Sequence, residues 1–152
     1  MLHMNITGAR AIGAPRTQVW DALLDPALLA RALPGCRSLI VTGDGVYDLR
    51  IEMGVGAIKG SYSGIVRIEE PDQPRAYTMR IDAQGTAGFV NATARITLDE
   101  TATGETDLRY DADAAVGGLI AGVGQRMLGG VAKLVIDQFF KNLQLELMKA
   151  QA

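Results

Sequence analysis

From Tyr47 onward the chain alternates apolar and polar residues with a period of two. Tyr47, Leu49, Ile51, Met53 and Val55 interleave with Asp48, Arg50 and Glu52, the pattern of a strand with one buried face. The alternation returns at Tyr62, Gly64, Val66 and Ile68, at Tyr77, Met79, Ile81 and Ala83, at Val90, Ala92, Ala94, Ile96 and Leu98, and at Leu108, Tyr110, Ala112, Ala114 and Val116. Glycine- and proline-bearing breaks at Gly56–Gly60, Pro71–Pro74, Gly85–Gly88 and Thr103-Gly104 separate these runs and read as turns. With Met4–Ile12 at the start, and Ser38–Thr42 before the Gly43-Asp44-Gly45 hairpin signal, the count is about seven strands.

Two other stretches follow a helical period. After Ala14-Pro15, where proline suits a first helical turn, Val19, Trp20, Leu23 and Leu24 share one face. Asp25-Pro26 opens a second short helix with Leu28, Leu29 and Leu33 as its apolar positions, and Pro34-Gly35 closes it. The last periodic stretch, Val116 to Leu147, predicts one long helix whose first half carries Gly117, Gly118, Gly122, Gly124, Gly129 and Gly130. Each interior helical glycine costs about 1 kcal/mol relative to alanine, so this helix is expected to form one wall of a groove or cavity. Consecutive hairpins imply an antiparallel sheet with one apolar face. That face is rich in small residues, including Gly60, Gly64, Ala83, Ala92, Ala94, Ala112 and Ala114. The expected fold is α+β: a curved antiparallel sheet gripping a long C-terminal helix, with two short helices after the first strand, all in one domain over residues 1–152.

Composition narrows the function. A chain of 152 residues with net charge −2 and no lysine or arginine cluster lacks a nucleic-acid footprint and an electrostatic lipid anchor. Cys36 is the only cysteine, which fits a reducing cytoplasm. No secretion signal or membrane-spanning run is read, so the expectation is a soluble, cytoplasmic protein. The single histidine, His3, stands near the start of the chain, and neither a metal set nor an acid–base pair suggests itself. No catalytic residue or metal ligand is assigned.

Three blocks bear a family resemblance. Val19-Trp20-Asp21-Ala22-Leu23-Leu24-Asp25-Pro26 with Leu33-Pro34-Gly35-Cys36, then Gly54-Val55-Gly56-Ala57-Ile58-Lys59-Gly60 with Ser63-Gly64, then Val116-Gly117-Gly118, Gly124-Gln125-Arg126 and Phe139-Phe140 resemble the G-subunit family of carbon monoxide dehydrogenase. The resemblance implies a START-like helix-grip fold with an apolar tunnel. It further implies partnership with a molybdenum hydroxylase of the carbon monoxide dehydrogenase type, in membrane recruitment or in electron transfer to quinone. Many members carry a C-terminal membrane anchor. With this sequence ending at Ala152, transient contact with the inner face of the cytoplasmic membrane, or docking on a partner, is expected instead.

The expected tunnel lining is Leu28, Leu29, Leu33, Met53, Val55, Ile58, Tyr62, Met79, Tyr110, Met127, Val131 and Val135, with methionines as adaptable contacts. No covalent cofactor is expected. From the resemblance, the expected ligand is an isoprenoid quinone or another lipid, whose carbonyl one of Tyr47, Tyr62, Tyr77 or Tyr110 would bond; alternatively, each hydroxyl reaches the sheet edge and water. Cys36 is either a small buried residue or a wall of the cavity mouth, and Trp20 is a core anchor. Because adjacent helical residues lie about 100° apart, one of Phe139 and Phe140 is expected to be exposed. The Leu28–Leu33 segment and the Gly54–Gly60 turn are expected to gate the tunnel. The competing reading is an interaction or assembly factor with no functional ligand.

Overall fold

The computed structural model describes residues 1–54 and 58–151, the last of these as backbone only. Seven strands form one antiparallel sheet: β1 (Leu2–Ile12), β2 (Cys36–Gly43), β3 (Val46–Met53), β4 (Gly60–Asp72), β5 (Ala76–Gly85), β6 (Gly88–Glu100) and β7 (Thr106–Gly117). Their order across the sheet is β1-β7-β6-β5-β4-β3-β2. The strands from β2 to β7 follow each other as hairpins, while β1 pairs with β7 from Leu2 opposite Val116 to Ile12 opposite Thr106.

Helices α1 (Arg16–Leu23) and α2 (Pro26–Ala32) fill the connection from β1 to β2, and α3 (Gln125–Gln151) crosses the apolar face of the sheet. The Asp25 side chain accepts a hydrogen bond from the Ala27 amide and caps α2, with Pro26 in its first turn. This satisfies an amide that has no partner within the helix. The buried Thr106 hydroxyl donates to the Ala14 carbonyl at 2.7 Å and ties the start of α1 to β7.

The long helix begins later than the glycine pattern predicts. Gly117 ends β7, and Leu119–Val123 is a short 3-10 helix between Gly118 and Gly124, which have φ of 82° and 90°. Both angles fall where side-chain-bearing residues are strained. Four of the six glycines therefore serve the strand end and the turn, leaving Gly129 and Gly130 within α3. The apolar spacing runs on through this segment, so periodicity alone does not mark the boundary.

Cross-strand aromatic–glycine pairs recur on the sheet. The Tyr110 ring lies across Gly8, Tyr62 lies beside Gly85, and Phe89 lies across Gly117. A Cβ at any of these glycines would meet the ring of its register partner. The small residues thus make room for specific rings.

Candidate functional site

Helix α3 is packed tightly at its two ends. Toward its C-terminus, Leu143 and Leu147 join Trp20, Val19, Tyr77, Leu98 and Leu108 in the larger buried cluster, where Trp20 meets Tyr77 edge to face at 5.4 Å. The Asn142 side-chain amide donates to the Ala32 carbonyl at 2.9 Å, and Arg31 pairs with Glu146. Toward its N-terminus, Leu128 joins Met4, Ile58, Tyr62, Val116 and Ile120 in a second cluster, and the Gln125 side chain donates to the His3 carbonyl.

Between the clusters the packing loosens. Val66, Ile81, Ala92 and Ala114 stand in one cross-strand row over β4, β5, β6 and β7, all on the face that α3 crosses. All four are only half-buried and belong to neither cluster. On the helix, Val135 and Ile136 are likewise half-buried and outside both clusters. Mid-sheet residues beneath a packed helix would ordinarily lose nearly all contact with solvent. Their residual exposure shows that the middle of α3 leaves this part of the sheet face incompletely covered.

The expected lining residues divide around this gap. Ile58 and Tyr62 are buried in the N-terminal cluster, with Met53 and Val131 packed against it. Leu28 is buried in the larger cluster, with Met79 and Tyr110 packed against it. Leu29, Leu33 and Val135 are half-buried. Val55 lies outside the described residues, as does Gly56 of the expected gate. Met127 does not face inward: it is 59% exposed in the first turn of α3, because the helix starts only two residues earlier and this position turns away from the sheet. Val66, Ile81, Ala92 and Ala114 were absent from the expected lining. Their alternation places them inward, but only the register shows that they form one row.

The tyrosines differ in what they can still bond. The Tyr62 hydroxyl donates to the Ile58 carbonyl at 2.8 Å and that of Tyr47 to the Leu24 carbonyl at 3.1 Å. Burial pushes both phenols above their usual pKa, more strongly so for Tyr77. The Tyr110 ring stacks on Phe140 at 5.9 Å, and Arg10 lies over the other partner of that stack, 5.5 Å from the Phe140 centroid, while pairing with Asp137. No described residue accepts a hydrogen bond from the Tyr110 hydroxyl. Contrary to the expectation from sequence, Phe139 and Phe140 are both half-buried against the core. The exposed apolar side chains of α3 are Met127, Leu134, Leu145 and Met148 instead.

Cys36 is half-buried, its thiol pKa raised by burial. It lines a cleft of about 490 Å3 with Met53, Gly54, Lys59 and Gly60, near the N-terminal cluster. Two shallow hollows of about 560 and 620 Å3 lie around Arg50, Ser63 and Gln84, whose alternation puts them on the opposite, hydrated face of the sheet. Among the described residues no group of three or more His, Cys, Asp or Glu side chains gathers as a metal site, and no helix is long and apolar enough to cross a membrane.

A seven-stranded antiparallel sheet curved over a long C-terminal helix, with two short helices after the first strand, is the START-like helix-grip fold. A START superfamily protein from Mycobacterium smegmatis superposes with a TM-score of 0.76 at 13% identity, over 98% of this chain and 99% of that one. The chain belongs to the CoxG family, the G-subunit family of carbon monoxide dehydrogenase, whose model matches residues 8–148. A conserved protein from Geobacillus kaustophilus is 38% identical over 97% of both chains, with a TM-score of 0.94. A Chromobacterium violaceum protein is 21% identical, with a TM-score of 0.70 over 93% of this chain and 95% of that one. The search of curated proteins gave no match.

Proposed function

We propose that this protein is a non-catalytic carrier of an elongated apolar molecule, held between the sheet and the middle of α3. The supporting observation is the half-buried row Val66, Ile81, Ala92 and Ala114 between two well-packed clusters. Apolar surface left accessible inside a fold is stabilised by an apolar guest. An isoprenoid quinone suits such a site: its tail would lie along the row and a head-group carbonyl would accept from Tyr110. The cleft beside Cys36 and Met53 is the proposed mouth. The proposed partner, which the family's name supports, is a molybdenum hydroxylase of the carbon monoxide dehydrogenase type, which the carrier would serve in electron transfer or membrane recruitment.

Solvent extraction of the purified protein, followed by mass spectrometry, tests this reading. A quinone or other lipid in stoichiometric amount is expected from the wild type, and little from Ile81→Trp, whose indole would fill the gap. A wild-type preparation that stays blank after incubation with membranes would overturn the carrier. The second reading, an assembly or docking factor for the same enzyme, draws on the exposed stripe Met127, Leu134, Leu145 and Met148. These four side chains fall on one face of the helix, where a partner's apolar surface would dock. Enzyme binding lost in Leu134→Lys but retained in Ile81→Trp would favour it.

A further inference from the structure

The two edges of the sheet are protected differently. At β1, Arg10 points inward and pairs with Asp137 of α3, and the Asn5 side chain bonds Asp111 and Asp113 on β7. An inward charge and a covering helix are common ways of preventing an edge strand from recruiting another strand. At β2, α2 packs beside the beginning of the strand, but Ile40 and Val41 are 57% and 52% exposed and Thr42 and Gly43 are exposed with them. From Ser38 to Gly43 the strand contains no charge and no proline. Among the described residues its one strand neighbour is β3, so its outer backbone amides and carbonyls are available for pairing. Bulges at the two ends confine the regular ladder to Ser38–Val41.

This segment is complementary to itself. Antiparallel pairing about a two-fold axis at Ile40 would set Ile40 against Ile40 of a second copy, Leu39 against Val41, and Ser38 against Thr42. Apolar residues would then meet apolar ones, and hydroxyls would meet hydroxyls. Arg37, which pairs with Glu52 of its own chain, would fall opposite Gly43 of the second copy, one residue from its exposed Asp44, so no like charges meet at either end of the contact. We propose that β2 is the interface of a homodimer, in which two copies pair edge to edge through Ser38–Thr42 and their sheets join into one. The proposal is independent of the ligand and of the enzyme partner.

Sedimentation over a concentration series is the test, with folding of each variant checked by circular dichroism. A reversible dimer is expected for the wild type. Its dissociation constant should rise at least about tenfold in Ile40→Lys, which opposes two like charges across the axis. Mixing Ile40→Lys with Ile40→Glu should restore the dimer, a rescue that misfolding would not give. Leu134→Lys, on the outer face of α3, should leave dimerisation unchanged. A wild type that remains monomeric through millimolar concentration would overturn the proposal, as would a dimer that survives Ile40→Lys or is lost in Leu134→Lys.

Discussion

The C-terminal half of α3 and its middle lie against the same sheet, yet they are packed to different standards. Around Leu143, Val19, Leu98 and Leu108 no accessible surface remains, and rings and leucines interlock as in any close-packed interior. Two turns earlier along the helix, Val135 and Ile136 retain accessible surface, as does every member of the row Val66, Ile81, Ala92 and Ala114. The two regions use the same apolar residue types and the same periodicity. What differs is size and support: large side chains from α1, α2 and four strands join Leu143 in one cluster, whereas the central row offers two alanines, a valine and an isoleucine. Tight packing is therefore concentrated at the ends of the interface, and the centre is where the proposed guest would lie.

The sharpest way to break this comparison is to truncate one side chain in each region. Trp20→Ala should lose about 3–5 kcal/mol in denaturant unfolding, from lost burial and the cavity left behind. Ile81→Ala should lose within about 1 kcal/mol in the ligand-free protein, because fewer neighbours surround it. Equal losses would show that the centre is packed like the end. Gly8→Ala should come next, at about 1–3 kcal/mol. Its Cβ would displace the Tyr110 ring from its place between β1 and Phe140, detectable by thermal melting and by altered tyrosine fluorescence. Asp25→Ala, which removes the α2 cap, should cost about 1 kcal/mol without affecting ligand content.

The smallest effect at neutral pH is that of tyrosine ionisation, which becomes visible only in alkali. Folding raises the pKa of Tyr47, Tyr62 and Tyr77 above 10.0. The unfolded chain therefore loses these protons first, and the folded state binds more of them above that pH. The stability contributed is fully present below about pH 10 and declines as pH rises toward the folded-state values. Urea unfolding followed with tyrosinate absorbance should show a flat plateau and then a fall. The fall should be shallower in Tyr77→Phe, since Tyr77 is the most strongly shifted of the three.

Most of the architecture was legible because a half-buried antiparallel sheet imposes its period on the sequence. Runs such as Tyr77, Met79, Ile81 and Ala83 leave little freedom in which face turns inward. The start of α3 was not legible, because Gly117 to Gly124 continue an apolar spacing while adopting strand, turn and 3-10 conformations. The outward direction of Met127 follows from that boundary, whereas both Phe139 and Phe140 find cover because Phe140 stacks on Tyr110 while Phe139 packs against the core. The lining row was missed for another reason. Alternation tells which residues share a face, but only register across four strands tells which share a level, and register is set by hairpin geometry far from the residues concerned.

The pairing of β1 with β7 has a consequence for how the chain comes to be folded. Leu2 meets Val116, so β1 leaves the ribosome ahead of the other six strands of the sheet yet is among the last to find its neighbour. At about 5–20 residues per second of synthesis, that wait is on the order of 5–20 s, far longer than the roughly 1–10 μs in which a local hairpin forms. The hairpins from β2 to β7 can assemble in sequence as they emerge, leaving the β7 edge open until β1 closes the longest loop in the molecule. Nascent chains caught before that closure would be the form of this protein most exposed to proteases and to mispairing.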